Sequence, residues 1–180
     1  MTKKKKHKKI SQRNVLLVVV GIILSLFMLM KFRSFFVFLV IGIVAGIINY
    51  FIHVTDFHVH LGHIPFLAVI FSYALGFKYG IFMIVVAHIL PEVLAGHADM
   101  EMIISALVYV LICFLAVTFN TTEIVALGLT LTVIQTGLAF FLEKISGTPM
   151  HELITENGVE FIMMVIYFIS FANPILSIIK

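Results

Sequence analysis

Seven apolar stretches, residues 15–30, 35–54, 64–76, 80–95, 102–119, 124–142 and 159–179, fill most of the chain, and short polar connections separate them. The apolar positions run continuously and do not alternate, which predicts helices and argues against a β-barrel. A helix needs ~20 apolar residues, within a range of ~17–25, to cross the hydrocarbon core, and the stretches at 35–54, 102–119, 124–142 and 159–179 reach that length. The stretch at 64–76 is short, and only Phe77-Lys78-Tyr79 separates it from 80–95. Together the two predict a tight helical hairpin whose first arm is partly buried in the bundle and turned away from lipid.

Composition sharpens this picture. The hydrophobic fraction is 62% and the mean hydropathy +1.17, against roughly 45–50% apolar residues in soluble domains. The expected fold is therefore an all-α integral membrane protein in a lipid bilayer. A six-helix transmembrane core covers residues 35–180, an extra apolar helix covers 15–34, and a basic tail covers 1–14. The tail carries Lys3, Lys4, Lys5, Lys6, Lys8, Lys9 and Arg13 and no acid, a composition that cannot bury apolar surface and that suits anionic headgroups. After Met30 comes Lys31-Phe-Arg33 in place of a small-residue cleavage site, so this segment is expected to stay in the mature protein. Nucleic-acid binding is not expected, because the basic run lacks interleaved aromatics and abuts an apolar segment. The single cysteine, Cys113, sits inside an apolar run, which leaves no intramolecular disulfide and no cysteine metal site.

Charge then orients the chain. Consecutive spans put the tail and residues 55–63, 96–101 and 143–158 on one face, and 31–34, 77–79, 120–123 and Lys180 on the other. The second face holds Lys31, Arg33, Lys78 and Lys180, whereas the first holds only Lys144 apart from the tail. Short loops rich in Lys and Arg stay cytoplasmic, so the core places the second face inside while the tail argues the opposite. Both are satisfied if residues 15–30 lie at, or re-enter from, the cytoplasmic surface, since sixteen residues give only ~24 Å of helix. The alternative is seven spans with one charge cluster on the unfavoured side. In the six-span arrangement Asp56, Asp99, Glu101, Glu143, Glu152 and Glu156 all belong to the outer face, and Glu92 and Glu160 lie within a turn or two of it.

The same face gathers histidines. Four of the eight fall within residues 53–63, and the candidate constellation reads Asp56-x-His58-x-His60-x-x-His63, with His88-x-x-x-Glu92 and His97-x-Asp99-x-Glu101. His88 and Glu92 share one helix face near the membrane boundary, where an ionisable pair is expensive unless it faces a cavity or a partner. Imidazole and carboxylate together form a ligand set for a divalent transition metal, which makes His58, His60, His63, His88 and Glu92 candidate metal ligands. These five, with His97 and Asp99, are the candidate solute-binding residues; solvated interfacial side chains are the alternative reading. No His-Glu-x-x-His motif or cysteine pair is present, and no serine or threonine has a base at catalytic spacing, so neither an enzyme nor a resident cofactor is expected.

Backbone signals complete the pattern. Gly42-Ile-Val-Ala45-Gly46 places small residues one turn apart, where a partner helix or one of the chain's own helices can approach closely. Pro91 removes a backbone donor and frees a carbonyl one turn back, at Ala87. Pro65 opens its helix, and Asn173-Pro174 is expected to end the last helix in a kink. Residues 143–158 form the longest connection, with a short helix over 150–156 and the character of a lid.

At Leu61-Gly62-His63-Ile64-Pro65-Phe66 and Gly76-Phe77-Lys78-Tyr79-Gly80 the chain resembles the substrate-binding S components of energy-coupling factor (ECF) transporters. In that family an outer loop leads through a Gly-x-x-Pro-like start into a short second helix, and a Gly-Pro-Lys-x-Gly-like turn leads into the third. Here Phe77 stands where proline is usual, and His63 stands where Asn or Asp is common. The resemblance covers residue 35 to the C-terminus. It implies a six-helix protein that captures a vitamin or a transition-metal ion beneath its outer loops and docks onto a transmembrane coupling subunit driven by two cytoplasmic ATPases. It also implies that Gly42 and Gly46, with Ala45 between them, form the docking stripe. The extra segment at 15–30 departs from the family. A rod-shape-determining scaffold of the MreD type, without a pocket, and a small membrane metalloenzyme are the competing readings.

Overall fold

The computed structural model describes residues 33–55 and 61–179; the tail, the stretch at 15–30, and His58 and His60 lie outside the described residues. The chain is an all-α, multi-pass membrane protein. Among the described residues there are six helices and no strand: α1 Arg33–Val54, α2 His63–Leu75, α3 Phe77–Ala95, α4 Met100–Thr118, α5 Ile124–Ser146 and α6 Met150–Ile179. All but α2 are long and apolar enough to cross a bilayer.

Each long helix buries a stripe at helical spacing and turns its other apolar side chains outward. In α1 the stripe is Phe38, Gly42, Ala45, Gly46 and Asn49, while Ile43, Val44, Ile47 and Phe51 are exposed. An apolar outer surface is what hydrocarbon solvates, so burial is decided by packing and by the few polar groups. The short α2 differs: Ile64 through Ser72 are all buried, and α2 touches each of the other five helices. It is the axis of the bundle, more deeply enclosed than the partly buried arm expected from its length, and a helix apolar on all sides belongs there.

The hairpin is built by two glycines. Gly76 turns the chain at φ 103°, a region that side chains disfavour. At Gly80 a Cβ would collide with Ser72 Oγ and Cys113 Sγ, so α2, α3 and α4 meet there at backbone distance.

Two expectations are corrected. Residues 143–158 are not a long connection carrying a separate short helix. α5 continues to Ser146, the Gly147 N–H caps it at the carbonyls of Glu143 and Lys144, and α6 begins at Met150 and runs for 30 residues. Nor does Asn173-Pro174 end α6. Proline removes a single donor, and the buried stripe continues past it through Ala172, Leu176 and Ile179, whose carbonyl accepts from Ser34 Oγ.

The half of the bundle around the α2–α3 turn is a packed apolar core. Phe38 meets Phe71 and Tyr79 edge-on at ring-centroid distances of 5.0 and 5.3 Å, and Phe168 fills the space left by Gly128, packing edge-on to Phe66 at 5.0 Å. The opposite half carries the polar groups.

Candidate functional site: a polar chamber at one end of the bundle

The site begins with a backbone irregularity. Pro91 has no N–H, and the helix answers with a π turn over Val85–Ile89, in which the Leu90 N–H reaches the Val85 carbonyl five residues back. The relief expected at the single carbonyl of Ala87 is thus spread over a whole wider turn. Such turns add a residue to the helix and re-aim the side chains they carry, here His88 and, one turn on, Glu92.

Close approach of α1 supports the turn. A Cβ on Gly46 would lie 2.9 Å from the Val86 carbonyl and 3.5 Å from Ala87 Cα, and one on Gly42 would lie 3.5 Å from Met83 Cε. The small-residue stripe of Gly42, Ala45 and Gly46 is therefore occupied by the chain's own α3 and is not open to a partner helix.

That approach brings three side chains onto one carboxylate oxygen. Glu92 Oε1 lies 2.6 Å from His88 Nδ1 and 3.4 Å from His53 Nε2, and it accepts from Asn49 Nδ2 at 3.3 Å. His88 and Glu92 are 2% and 3% exposed, so this is a desolvated cluster that survives only because its members satisfy one another. Proton placement follows from the partners. His53 Nδ1 lies 2.9 Å from the Asn49 carbonyl, which can only accept, so Nδ1 carries a hydrogen, and Nε2 donates to Glu92 only as imidazolium. His88 spends its other nitrogen on Ser105 Oγ at 3.0 Å, and Ser105 in turn reaches the Glu101 carbonyl at 2.8 Å.

A second carboxylate cluster lies across the bundle. Tyr109 and Gln135 both donate to Glu160 Oε1, at 3.0 and 2.9 Å, and Asn157 donates to Glu143 Oε2 at 2.8 Å. The His88 ring lies 5.1 Å from that of Tyr109, so the two clusters meet.

Between them opens a cavity of about 240 Å³, lined from α1 by Asn49 and His53, from α3 by His88 and Glu92, from α4 by Ser105 and Tyr109, and from α6 by Glu156 and Glu160. His63, His97, Asp99 and Glu101 complete its polar rim. At about 30 Å³ per water in the liquid, the space corresponds to about eight waters, which suits a small organic solute.

Of the seven side chains expected to bind solute, His63, His88, Glu92, His97 and Asp99 line this one cavity, while His58 and His60 lie outside the described residues. Asp99 also caps α4, accepting from the Met102 N–H at 2.9 Å. Among the described residues, no group of three or more His, Cys, Asp or Glu side chains is arranged to hold a metal ion; the expected metal set also includes His58 and His60, which lie outside them. The reason at His88 is direct, since both ring nitrogens are already engaged. The expectation missed Asn49, His53, Ser105, Tyr109 and Gln135. Their signal was a polar side chain one helical turn from a small or acidic one inside an apolar run, as in Ala45, Asn49 and His53. No family model, curated protein or solved structure matches the chain.

Proposed function

We propose that the chain is a membrane-embedded solute-capture subunit of the ECF type, which takes up a micronutrient beneath its outer connections and hands it to a transmembrane coupling subunit driven by cytoplasmic ATPases. The observation that carries this reading is the polar chamber of about 240 Å³ at one end of an otherwise apolar bundle. Buried ionisable groups in a membrane protein are costly, and they persist where they serve a pathway or a ligand. The chamber lies directly behind the Gly62-His63-Ile64-Pro65 start of α2, the segment that carries the family resemblance, and a scaffold needs no such space. Basic Arg33 and Lys78 at the far end argue that the chamber faces away from the cytoplasm, in the cell membrane. The chain itself has no catalytic role in this reading.

Affinity purification from the native membrane, followed by native mass spectrometry, tests it. The expected result is a retained small solute together with a coupling subunit and two ATPases. Recovery of neither overturns the proposal. Recovery of cell-wall synthesis partners alone supports a rod-shape scaffold. Stoichiometric metal that disappears in a His88→Ala/Glu92→Ala variant supports a metalloenzyme.

A further inference from the structure

We infer that the chamber is selective for a small organic cation, such as a protonated amine or quaternary nitrogen compound; this rests on the capture reading above and assigns the solute's charge class. The first ground is the sign of the wall. Glu92, Asp99, Glu101, Glu156 and Glu160 line the cavity, and among the described residues no lysine or arginine does. A carboxylate-bearing or phosphorylated solute would meet like charge in a low-dielectric site, where such juxtaposition is most costly.

Histidine does not reverse this sign. Five carboxylates outnumber the four imidazoles that line the space, and the ring nitrogens of His53 and His88 are turned to Asn49, Glu92 and Ser105 and not to the open volume.

The second ground is one oxygen. Every side-chain contact made by Glu92 converges on Oε1, and among the described residues no donor reaches Oε2, although the residue is 3% exposed and lines the cavity. A carboxylate oxygen on a cavity wall without a protein donor is completed by water or by a ligand that brings a donor in its place. Tyr109 lines the same cavity and ties its hydroxyl to Glu160, another carboxylate of the wall.

The third ground separates an organic cation from a metal ion. The carboxylates stand on different walls around about 240 Å³, and no three ligating side chains among the described residues converge to metal distances. A dispersed negative wall fits a delocalised or bulky cation better than a point charge that demands 2.0–2.2 Å contacts, roughly the range for zinc.

Thermal unfolding and isothermal titration of the full chain in detergent test the inference with charge-matched probes. These are choline, its neutral carbon isostere 3,3-dimethylbutanol, the anion 3,3-dimethylbutyrate, a series of alkyl- and benzylammonium ions, and Ni²⁺. Members of the ammonium series should raise the midpoint and bind, while the isosteres and the metal do not. Glu156→Gln should weaken the best ammonium probe about tenfold, equivalent to ~1.4 kcal/mol, with the midpoint of the solute-free protein measured alongside. Glu92→Gln should weaken it further, and a fold check on each variant comes from that same midpoint. The inference fails if the anion or the neutral isostere stabilises as well as the cations, if only Ni²⁺ binds, if no ammonium probe binds, or if Glu156→Gln leaves cation affinity unchanged. An anionic solute retained together with a coupling subunit would sink this inference and leave the transport reading intact. Cation binding without any coupling subunit would do the reverse.

Discussion

The two ends of the bundle are built from the same helices and filled in opposite ways. On α1, Phe38 at one end corresponds to Asn49 and His53 at the other; on α4, Ile112, Cys113 and Ala116 correspond to Ser105 and Tyr109; on α6, Phe168 and Ala172 correspond to Asn157 and Glu160. The first end interlocks rings and small residues, whereas the second leaves about 240 Å³ open among polar groups. In lipid the hydrophobic effect contributes little between helices, so the packed end holds the bundle together by dispersion contacts. The polar end is a cost to stability. Under the proposed capture role the division of labour is one end for cohesion and one for recognition, and separate substitutions should separate the two.

The largest stability effect is expected at the packed end. Phe168 is fully buried, fills the space over Gly128 and meets Phe66. Phe168→Ala should cost about 3 kcal/mol, the low end of the range for buried Phe→Ala, because lipid in place of water as the reference removes much of the transfer contribution and leaves the lost contacts and the cavity. Thermal unfolding in detergent should show the drop, while affinity for the best ammonium probe stays unchanged. A fall in affinity matching the fall in stability would mean that the ends are not independent.

An intermediate effect with the opposite signature is expected at the polar end. Glu92→Leu leaves the His88, His53 and Asn49 donors without their shared acceptor and should cost ~1–3 kcal/mol while abolishing probe binding. Replacing the cluster together, with Asn49→Leu, His53→Leu and Glu92→Leu in one chain, should recover much of that stability, because an apolar set of similar volume removes the desolvation penalty as well as the attraction. Binding should stay lost. If the triple variant is less stable than the single one, the cluster contributes to cohesion and the contrast between the ends is weaker than drawn.

How far the sequence foretold this division depends on the kind of signal. The number of helices over residues 33–179 and the α2–α3 hairpin were legible because spanning length and the Gly76 and Gly80 punctuation are local properties. His88 and Glu92 were legible for a similar reason, as two ionisable groups four residues apart in an apolar run. The rest of the chamber depends on which helix faces which. Asn49 and Gln135 join carboxylates 43 and 25 residues away in the chain, and no local spacing encodes such a meeting. The small-residue stripe at Gly42 and Gly46 was ambiguous in the same way: close approach was foreseeable, but its recipient was not, and it is α3. The lid failed for a third reason. Polar residues at 143–158 suggested a loop, yet Glu143 and Asn157 are polar because they bond to each other across the inner faces of α5 and α6.

The smallest stability effect, and the sharpest test of how the two ends are joined, lies at Pro91. Pro91→Ala restores a backbone donor, a gain of ~0.5–1.5 kcal/mol, and frees the unfolded chain by a comparable amount, a loss of ~0.4–1 kcal/mol. Net stability should therefore stay within about 1 kcal/mol of the parent. With the donor restored, the π turn over Val85–Ile89 can close into an ordinary α-helix and lose its extra residue. Residues 77–84 cannot follow the rotation, because Gly80 is locked against Ser72 and Cys113. The change then falls on the far side of the turn and swings Glu92 by about 100°, one residue's worth of helix, away from Asn49 and His53. Affinity for the ammonium probe should drop at nearly constant midpoint, and hydrogen exchange should show new protection at residue 91. Full affinity in Pro91→Ala would show that the packed end does not set the aim of the polar one through this turn.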